Sequence, residues 1–89
     1  MTEDVVSEPA LTLADLPKGR SALISRISSC AEDHESERRL LEIGFEEGKT
    51  VVVMHRGLLG DPLGVRVDRQ MIAIRRREAG LVVVTPLEV

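Results

Sequence analysis

Hydrophobic and polar residues alternate along several short stretches of this chain, and alternation with a period of two predicts β-strands. The pattern places strands over residues 21–27, 63–67 and 71–75. Two uninterrupted aliphatic stretches predict further strands over residues 50–56 and 81–85. The run within residues 50–56 is typical of a strand covered on both faces, as in a small barrel.

Helical spacing follows the first of these strands. Leu40, Leu41 and Ile43 form the apolar side of a short helix. Gly44 stands where the end of a helix favours a left-handed residue, because glycine has no Cβ to clash there. Phe45 can then fold back onto the end of the helix. The sequence therefore predicts one helix, ended by a glycine, between the first two strands.

The start of this helix is left open by the sequence. Asp33 is the favoured N-cap, since its carboxylate can accept hydrogen bonds from the free amides of the first turn. Ser29 with Glu32 forms a rival capping box, which would begin the helix earlier. Elsewhere, single helical turns are predicted over residues 14–16 and 76–80, the second ended by a glycine.

Together these elements predict a mainly β fold. Five short strands with one short α-helix after the first leave no crossover of the length that a parallel sheet needs. They suit a small, strongly bent antiparallel β-barrel of about five strands. We expect this barrel domain over residues 11–89, preceded by a flexible acidic tail over residues 1–10.

The composition narrows the range of functions. A chain of 89 residues forms one small domain, and its net charge of −3 argues against binding nucleic acid, which needs a basic surface. Phe45 is the single aromatic residue, so the chain lacks the aromatic groove that reads polyproline peptides and the platforms that stack bases. No serine stands in a nucleophile elbow, and no glycine-rich segment carries the lysine of a phosphate loop. We therefore expect a protein that is not an enzyme.

The sequence shows no targeting or membrane signal. Glu3 and Asp4 stand where a secretory signal would carry lysine or arginine before an apolar run. The longest aliphatic runs, residues 51–54 and 81–84, are too short to span a bilayer. We expect a cytoplasmic protein with no direct insertion into the membrane.

The candidate metal ligands do not form a recognisable site. Cys30, His34 and Glu35 lie close together in the sequence, and His55 falls late in a strand. Their donor atoms suit ferrous iron or zinc. A metal site needs several ligands at defined positions, however, and no recognised spacing is present. We therefore predict neither a metal site nor a cofactor.

Two leucines are a candidate contact for a protein partner. Leu58 and Leu59 lie at the expected tip of the connection between the second and third strands, where an isolated domain favours polar residues. They form either an apolar plug that docks into a partner or a cap that folds back over the barrel.

A basic cluster is the second candidate contact. Arg75, Arg76 and Arg77 follow one another, and the neighbouring hairpin could add Arg66 and Arg69. The cluster is either a solvated face that balances nearby acids or a contact for an acidic protein surface, since guanidinium groups match carboxylates.

Five segments carry a further pattern along the chain. They are LADLPKG over residues 13–19, RLLEIGF over 39–45, EG at 47–48 with the strand behind it, GDPL over 60–63, and IAIR over 72–75 with EA at 78–79. In this order and spacing they resemble the FeoA family of small cytoplasmic proteins associated with bacterial ferrous-iron uptake. The resemblance implies an SH3-like barrel whose scaffold includes Leu40, Leu41, Gly44, Phe45, Gly48 and Ala79.

The resemblance also implies a function. It suggests a non-enzymatic accessory protein that works with FeoB, the ferrous-iron permease of the inner membrane, whose cytosolic part is a GTPase domain. Any association with the membrane would go through this partner. The alternative is a regulatory module that acts with a DtxR-type iron-dependent transcriptional repressor, a class that carries a similar SH3-like domain. Self-association is a third option, because exposed strand edges in a small barrel can pair between copies.

One segment departs from the family pattern. Members usually carry a glycine in the turn before the IAIR-like strand, where this chain has Asp68, Arg69 and Gln70. Aspartate tolerates a left-handed backbone better than most residues, so we expect the turn to form.

Overall fold

The computed structural model describes residues 11–28 and 34–87, which form one sheet with short helical elements around it. The strands are β1 (Ser21–Ile27), β2 (Thr50–Arg56), β3 (Leu63–Val67), β4 (Gln70–Ile74) and β5 (Val82–Pro86). The helices are α1 (His34–Ile43) and α2 (Arg76–Ala79), and single 3₁₀ turns cover Leu13–Asp15 and Leu58–Gly60. The predicted tail and both candidate starts of the first helix lie outside the described residues.

The sheet has the strand order β4-β3-β2-β1-β5, with every neighbouring pair antiparallel. The mainly β fold with five antiparallel strands is confirmed. Within the described residues β4 and β5 are the two edges and do not pair with each other. The predicted SH3-like fold is therefore confirmed, with the difference that the sheet is open rather than a closed barrel.

Helix α1 lies beside the β4 edge. Arg39 Nη1 in the middle of α1 is 3.3 Å from Glu78 Oε2, just beyond the end of β4. At the other end of the helix, a Cβ placed on Gly44 would lie 4.0 Å from the side chain of Gln70, the first residue of β4. These two contacts place α1 on the side of the sheet that ends in β4.

The predicted limits of β1, β2 and β3 are confirmed to the residue, whereas β4 and β5 are displaced by one. β4 begins at Gln70 because this residue pairs with Val67 across a two-residue turn. Asp68 opens that turn with a φ of 56°, a left-handed conformation. The expectation that aspartate replaces the usual glycine in this turn is confirmed.

The core lies between one face of the sheet and the helical elements. Its fully or almost fully buried apolar residues are Leu13, Leu16, Ala22, Ile24, Leu40, Phe45, Val51, Val53, Leu63, Val65, Val67, Ile74, Ala79, Val82 and Val84. Two expectations about burial are wrong. Met54 is 41% exposed, so β2 is not covered on both faces. Leu41 is 43% exposed, because α1 rests on the core through the face that carries Leu40.

The end of α1 is built as the sequence predicts. Gly44 has a φ of 118°, which glycine adopts without the clash that a Cβ would cause. The amide of Phe45 donates to the carbonyl oxygen of Leu40 over 3.0 Å, and the Phe45 ring is completely buried. This six-residue hydrogen bond is typical of a Schellman ending, in which the residue after the glycine folds back onto the helix.

Candidate protein-interaction surface

The connection between β2 and β3, residues 57–62, is held in shape by its own backbone. The amide of Gly57 donates to the carbonyl oxygen of Pro62 over 2.8 Å, and the amide of Gly60 donates to that of Gly57 over 2.9 Å. This frame presents Leu58 and Leu59 to solvent with 90% and 95% of their surface exposed. Neither leucine folds back over the barrel, so the capping alternative is wrong.

Leu59 also has an unusual backbone. Its φ of 59° and ψ of 23° lie in the left-handed region, where a side chain with a Cβ clashes with its own backbone. Holding a bulky residue there costs on the order of 1–3 kcal/mol. Because the Leu59 side chain is exposed, no burial of apolar surface offsets this strain. The strained backbone therefore displays the side chain to solvent and does not place it in the core.

The arginine cluster lies at the start of α2, next to this loop. Arg75, Arg76 and Arg77 are all exposed. The backbone amide of Arg76 donates to Asp61 Oδ1 over 3.0 Å, which ties the loop directly to the beginning of α2. The structure therefore joins two features that are separate in the sequence. We call Leu58, Leu59, Arg75, Arg76 and Arg77 together the loop–arginine surface.

The cations of this surface have no acidic partner within the described residues. Ion pairs there are Arg39–Glu78 and Lys49–Asp68, and neither involves the three arginines. The same part of the chain contains all twelve Lys and Arg residues but nine of the fifteen Asp and Glu residues, an excess of three positive charges. Among residues 11–28 and 34–87, the guanidinium groups of the loop–arginine surface thus have no ion-pair partner and lie beside an apolar tip.

Arg66 and Arg69 do not belong to this surface. Arg69 lies in the β3–β4 turn, separated from Arg75 by the whole length of β4 at about 3.4 Å per residue. With Arg66 it lines an open groove of about 820 Å³ between the end of α1 and the hairpin. Lys49 Nζ in the same groove lies 2.7 Å from Asp68 Oδ2. This hydrogen bond, together with the charge of Asp68, raises the pKa of Lys49.

Two supporting residues were missed by sequence reasoning. Arg56, at the end of β2, donates through Nη2 to the carbonyl oxygens of Ala14, over 3.0 Å, and of Leu16. It thereby anchors the strand from which the loop departs. Asp61 links the loop to α2, because its carboxylate accepts a hydrogen bond from the backbone amide of Arg76. The position of Arg56 directly before Gly57, where the connection begins, was a visible signal for its role. No feature of the sequence near Asp61 indicated that it would bind the amide of Arg76.

The candidate metal ligands within the described residues do not form one cluster. His34 begins α1 and His55 lies in β2, and Cys30 falls outside the described residues. Among residues 11–28 and 34–87, no group of three or more His, Cys, Asp or Glu side chains is arranged to hold a metal ion. Over the same ranges, no helix is long and apolar enough to cross a bilayer.

Comparison with known proteins agrees with this architecture. The FeoA protein of Stenotrophomonas maltophilia, solved in complex with zinc, is 36% identical and superimposes with a TM-score of 0.76 over 85% of this chain and 91% of that one. A Helicobacter pylori protein named Fe(2+) transport protein A is 28% identical over 83% of this chain and 95% of its own length. A manganese-dependent transcriptional repressor shares the fold with a TM-score of 0.79 at 22% identity, and the match covers 91% of this chain and 43% of the repressor.

The model of the FeoA domain family matches residues 11–86, which is most of the chain. This span contains every strand and helix of the structure and the whole loop–arginine surface. The family consists of small SH3-like accessory domains linked to ferrous-iron transport rather than of enzymes. The sequence match, the strand order and the relatives together show that this chain belongs to the FeoA family.

Proposed function

We propose that this chain is a cytoplasmic, non-enzymatic accessory protein of bacterial ferrous-iron uptake that binds the cytosolic GTPase domain of the permease FeoB. Membership of the FeoA family supports the link to iron uptake. The relative from Stenotrophomonas maltophilia is described as a candidate ferrous iron transport activating factor. The observation that carries the proposal is the loop–arginine surface, which sets two exposed leucines beside three exposed arginines.

The apolar half of this surface supports docking into a partner. Full burial of one leucine side chain is worth roughly 1.5–3 kcal/mol, and both leucines are almost completely exposed in the free protein. The backbone hydrogen bonds of residues 57–62 already fix the tip in one shape. A partner would therefore lose little free energy to ordering the loop, since preorganisation lowers the entropic cost of binding.

The basic half supports an acidic partner surface. Arginine forms paired hydrogen bonds with carboxylates and is enriched at the centres of protein interfaces. We expect an apolar pocket with acidic residues beside it on the GTPase domain. Because charge complementarity acts mainly on the rate of association, the association rate should fall as the salt concentration rises.

The test is the binding of the full chain to the cytosolic GTPase domain of its own host's FeoB, with and without guanine nucleotide. We expect saturable binding that the double substitution Leu58→Glu, Leu59→Glu abolishes and that Arg75→Ser with Arg77→Ser weakens. Both variants leave the backbone amide of Arg76 free to hold Asp61. Absence of binding in every nucleotide state would contradict the proposal.

Matched controls exist elsewhere on the surface. Leu41→Glu changes another exposed leucine, and Arg69→Ser changes an exposed arginine at the far end of β4. Both should leave binding unchanged. If these controls weaken binding as strongly as the loop–arginine variants, the contact lies on a different face.

Two alternatives receive direct tests. A role beside a DtxR-type repressor has in its favour a likeness of fold to a repressor at 22% identity. Co-purification with a host repressor in place of FeoB would support it. Self-association through a strand edge stays a prediction, and light scattering over a range of protein concentrations would detect it.

A further inference from the structure

The solvent-facing side of β2, β3 and β4 carries a second group of side chains, distinct from the five residues of the loop–arginine surface. A β-bulge in β2 creates it. Val53 pairs with Val65 and His55 pairs with Gly64, so Met54 is an extra residue in the ladder. Bulges of this kind re-aim side chains, and here Met54 and His55 are both exposed while Val53 is buried. The bulge therefore brings a thioether and an imidazole to the same face.

Gly64 opposes this bulge and leaves an open position between the side chains. A Cβ placed on Gly64 would lie 3.3 Å from His55 Cβ and 3.8 Å from Met71 Cε. Met71 is a diagonal neighbour of Gly64 across the β3–β4 pair, and it is 60% exposed. The methyl group of Met71 and the Cβ of His55 thus border the same open position, and Met54 is the chain neighbour of His55 within the bulge.

These three side chains offer a donor set of two thioether sulfurs and one imidazole nitrogen. Thioethers are soft ligands that select Cu(I), and imidazole also suits copper. Hard ions such as magnesium and manganese prefer carboxylate, carbonyl and water oxygens, which this donor set does not supply. We propose that Met54, His55 and Met71 form a binding site for a soft monovalent cation of the Cu(I) class.

This proposal is independent of binding to FeoB. None of its three ligands is among the five residues of the loop–arginine surface, and its test measures the binding of a metal ion without any partner protein. Exposed single methionines are common on proteins and by themselves mean nothing. The argument rests on the bulge, the glycine and the reach of Met71 acting at one point.

The test is a titration with Ag(I), an air-stable stand-in for Cu(I), followed by NMR of methyl-labelled methionine. A Cys30→Ser background removes the single thiol, which would bind the ion by itself. We expect the methyl signals of Met54 and Met71 to shift and saturate at one equivalent, while that of Met1 stays in place. Equal shifts of all three methionines, or no saturation, would overturn the proposal.

Substitutions sharpen the result. Met71→Leu keeps an apolar side chain but removes the sulfur, and His55→Gln removes the imidazole, so each should weaken Ag(I) binding at least tenfold. His34→Gln, at the exposed start of α1, should leave affinity unchanged. Gly64→Ala keeps every donor but fills the space between them, and it should also weaken binding.

Competition completes the experiment. A hundredfold excess of Fe(II) or Mg(II) under anaerobic conditions should not displace Ag(I), because both ions are harder than the site. Displacement by either ion, or Met71→Leu binding as tightly as the parent, would show that the methionines are not the ligands.

Discussion

Two segments of this molecule place leucines beside a glycine, and the structure treats them in opposite ways. At the end of α1, Gly44 takes the positive φ, while Leu40 and Phe45 are completely buried. In the β2–β3 connection a leucine, Leu59, takes a positive φ and is 95% exposed. In the first segment backbone and side chains both favour the fold. In the second both oppose it, which is typical of a segment shaped for a partner.

The largest effect should come from Phe45→Ala, at the buried end of this comparison. Removing a completely buried aromatic side chain leaves a cavity and costs about 3–5 kcal/mol of the free energy of unfolding. Chemical denaturation followed by circular dichroism measures it. Leu41→Ala is the control, because this leucine is 43% exposed and should cost below about 1 kcal/mol. A loss for Phe45→Ala no greater than that of the control would contradict the assignment of the helix end to the core.

The next largest effect on stability should come from substitutions at two positions with a positive φ, Gly44 and Leu59. Gly44→Ala forces a Cβ into a φ of 118° and should lower the free energy of unfolding by about 1–2 kcal/mol. Leu59→Gly relieves the left-handed leucine but adds freedom to the unfolded chain, so stability should stay within about 1 kcal/mol of the wild type. Equal destabilisation by both substitutions would show that Leu59 serves the fold.

A smaller effect is expected where α1 meets α2. Glu78 is 7% exposed, accepts from the backbone amide of Arg75 over 3.4 Å and pairs with Arg39. Glu78→Gln should cost roughly 0.5–1.5 kcal/mol, since glutamine keeps an acceptor for the Arg75 amide and the largely exposed Arg39 is solvated by water when it loses the ion pair. A double-mutant cycle with Arg39→Gln should give a coupling energy below about 1 kcal/mol. A larger coupling would mean that the pair, rather than Leu40, holds α1 in place.

The smallest effect should be the pH dependence of the Lys49–Asp68 pair. The hydrogen bond to Asp68 and its charge raise the pKa of Lys49 above the ordinary value of 10.5. The folded protein therefore holds this proton more tightly, and the stabilisation is fully present below pH 10.5 and is lost as the pH rises through the raised pKa. Asp68→Asn keeps a residue that tolerates the left-handed turn. The difference in stability between this variant and the wild type should shrink above pH 10.5, and a difference that grows there would contradict the pairing.

The residues of the loop–arginine surface could be predicted from the sequence, but the sequence could not show that they form one surface. Leu58 and Leu59 stood out because an apolar pair in a loop tip contradicts the local rule, and the arginines stood out as a cluster. That they form one surface depends on the hydrogen bond between Arg76 and Asp61, which are fifteen residues apart. The inclusion of Arg66 and Arg69 was wrong. The β3–β4 hairpin is close to the three arginines in the sequence, but the length of β4 separates Arg69 from Arg75.

The sequence by itself determined the strands, the glycine-ended helix and the aspartate turn, because alternation, helical spacing and turn chemistry act between residues a few positions apart. Only the tertiary structure decided that α1 lies on the β4 side of the sheet and that β4 and β5 stay unpaired with each other. It also decided that the loop meets α2, and that the bulge in β2 brings Met54 and His55 to one face beside Met71. Each of these depends on contacts between distant parts of the chain, whose geometry is set by how the sheet and the helix pack around one core.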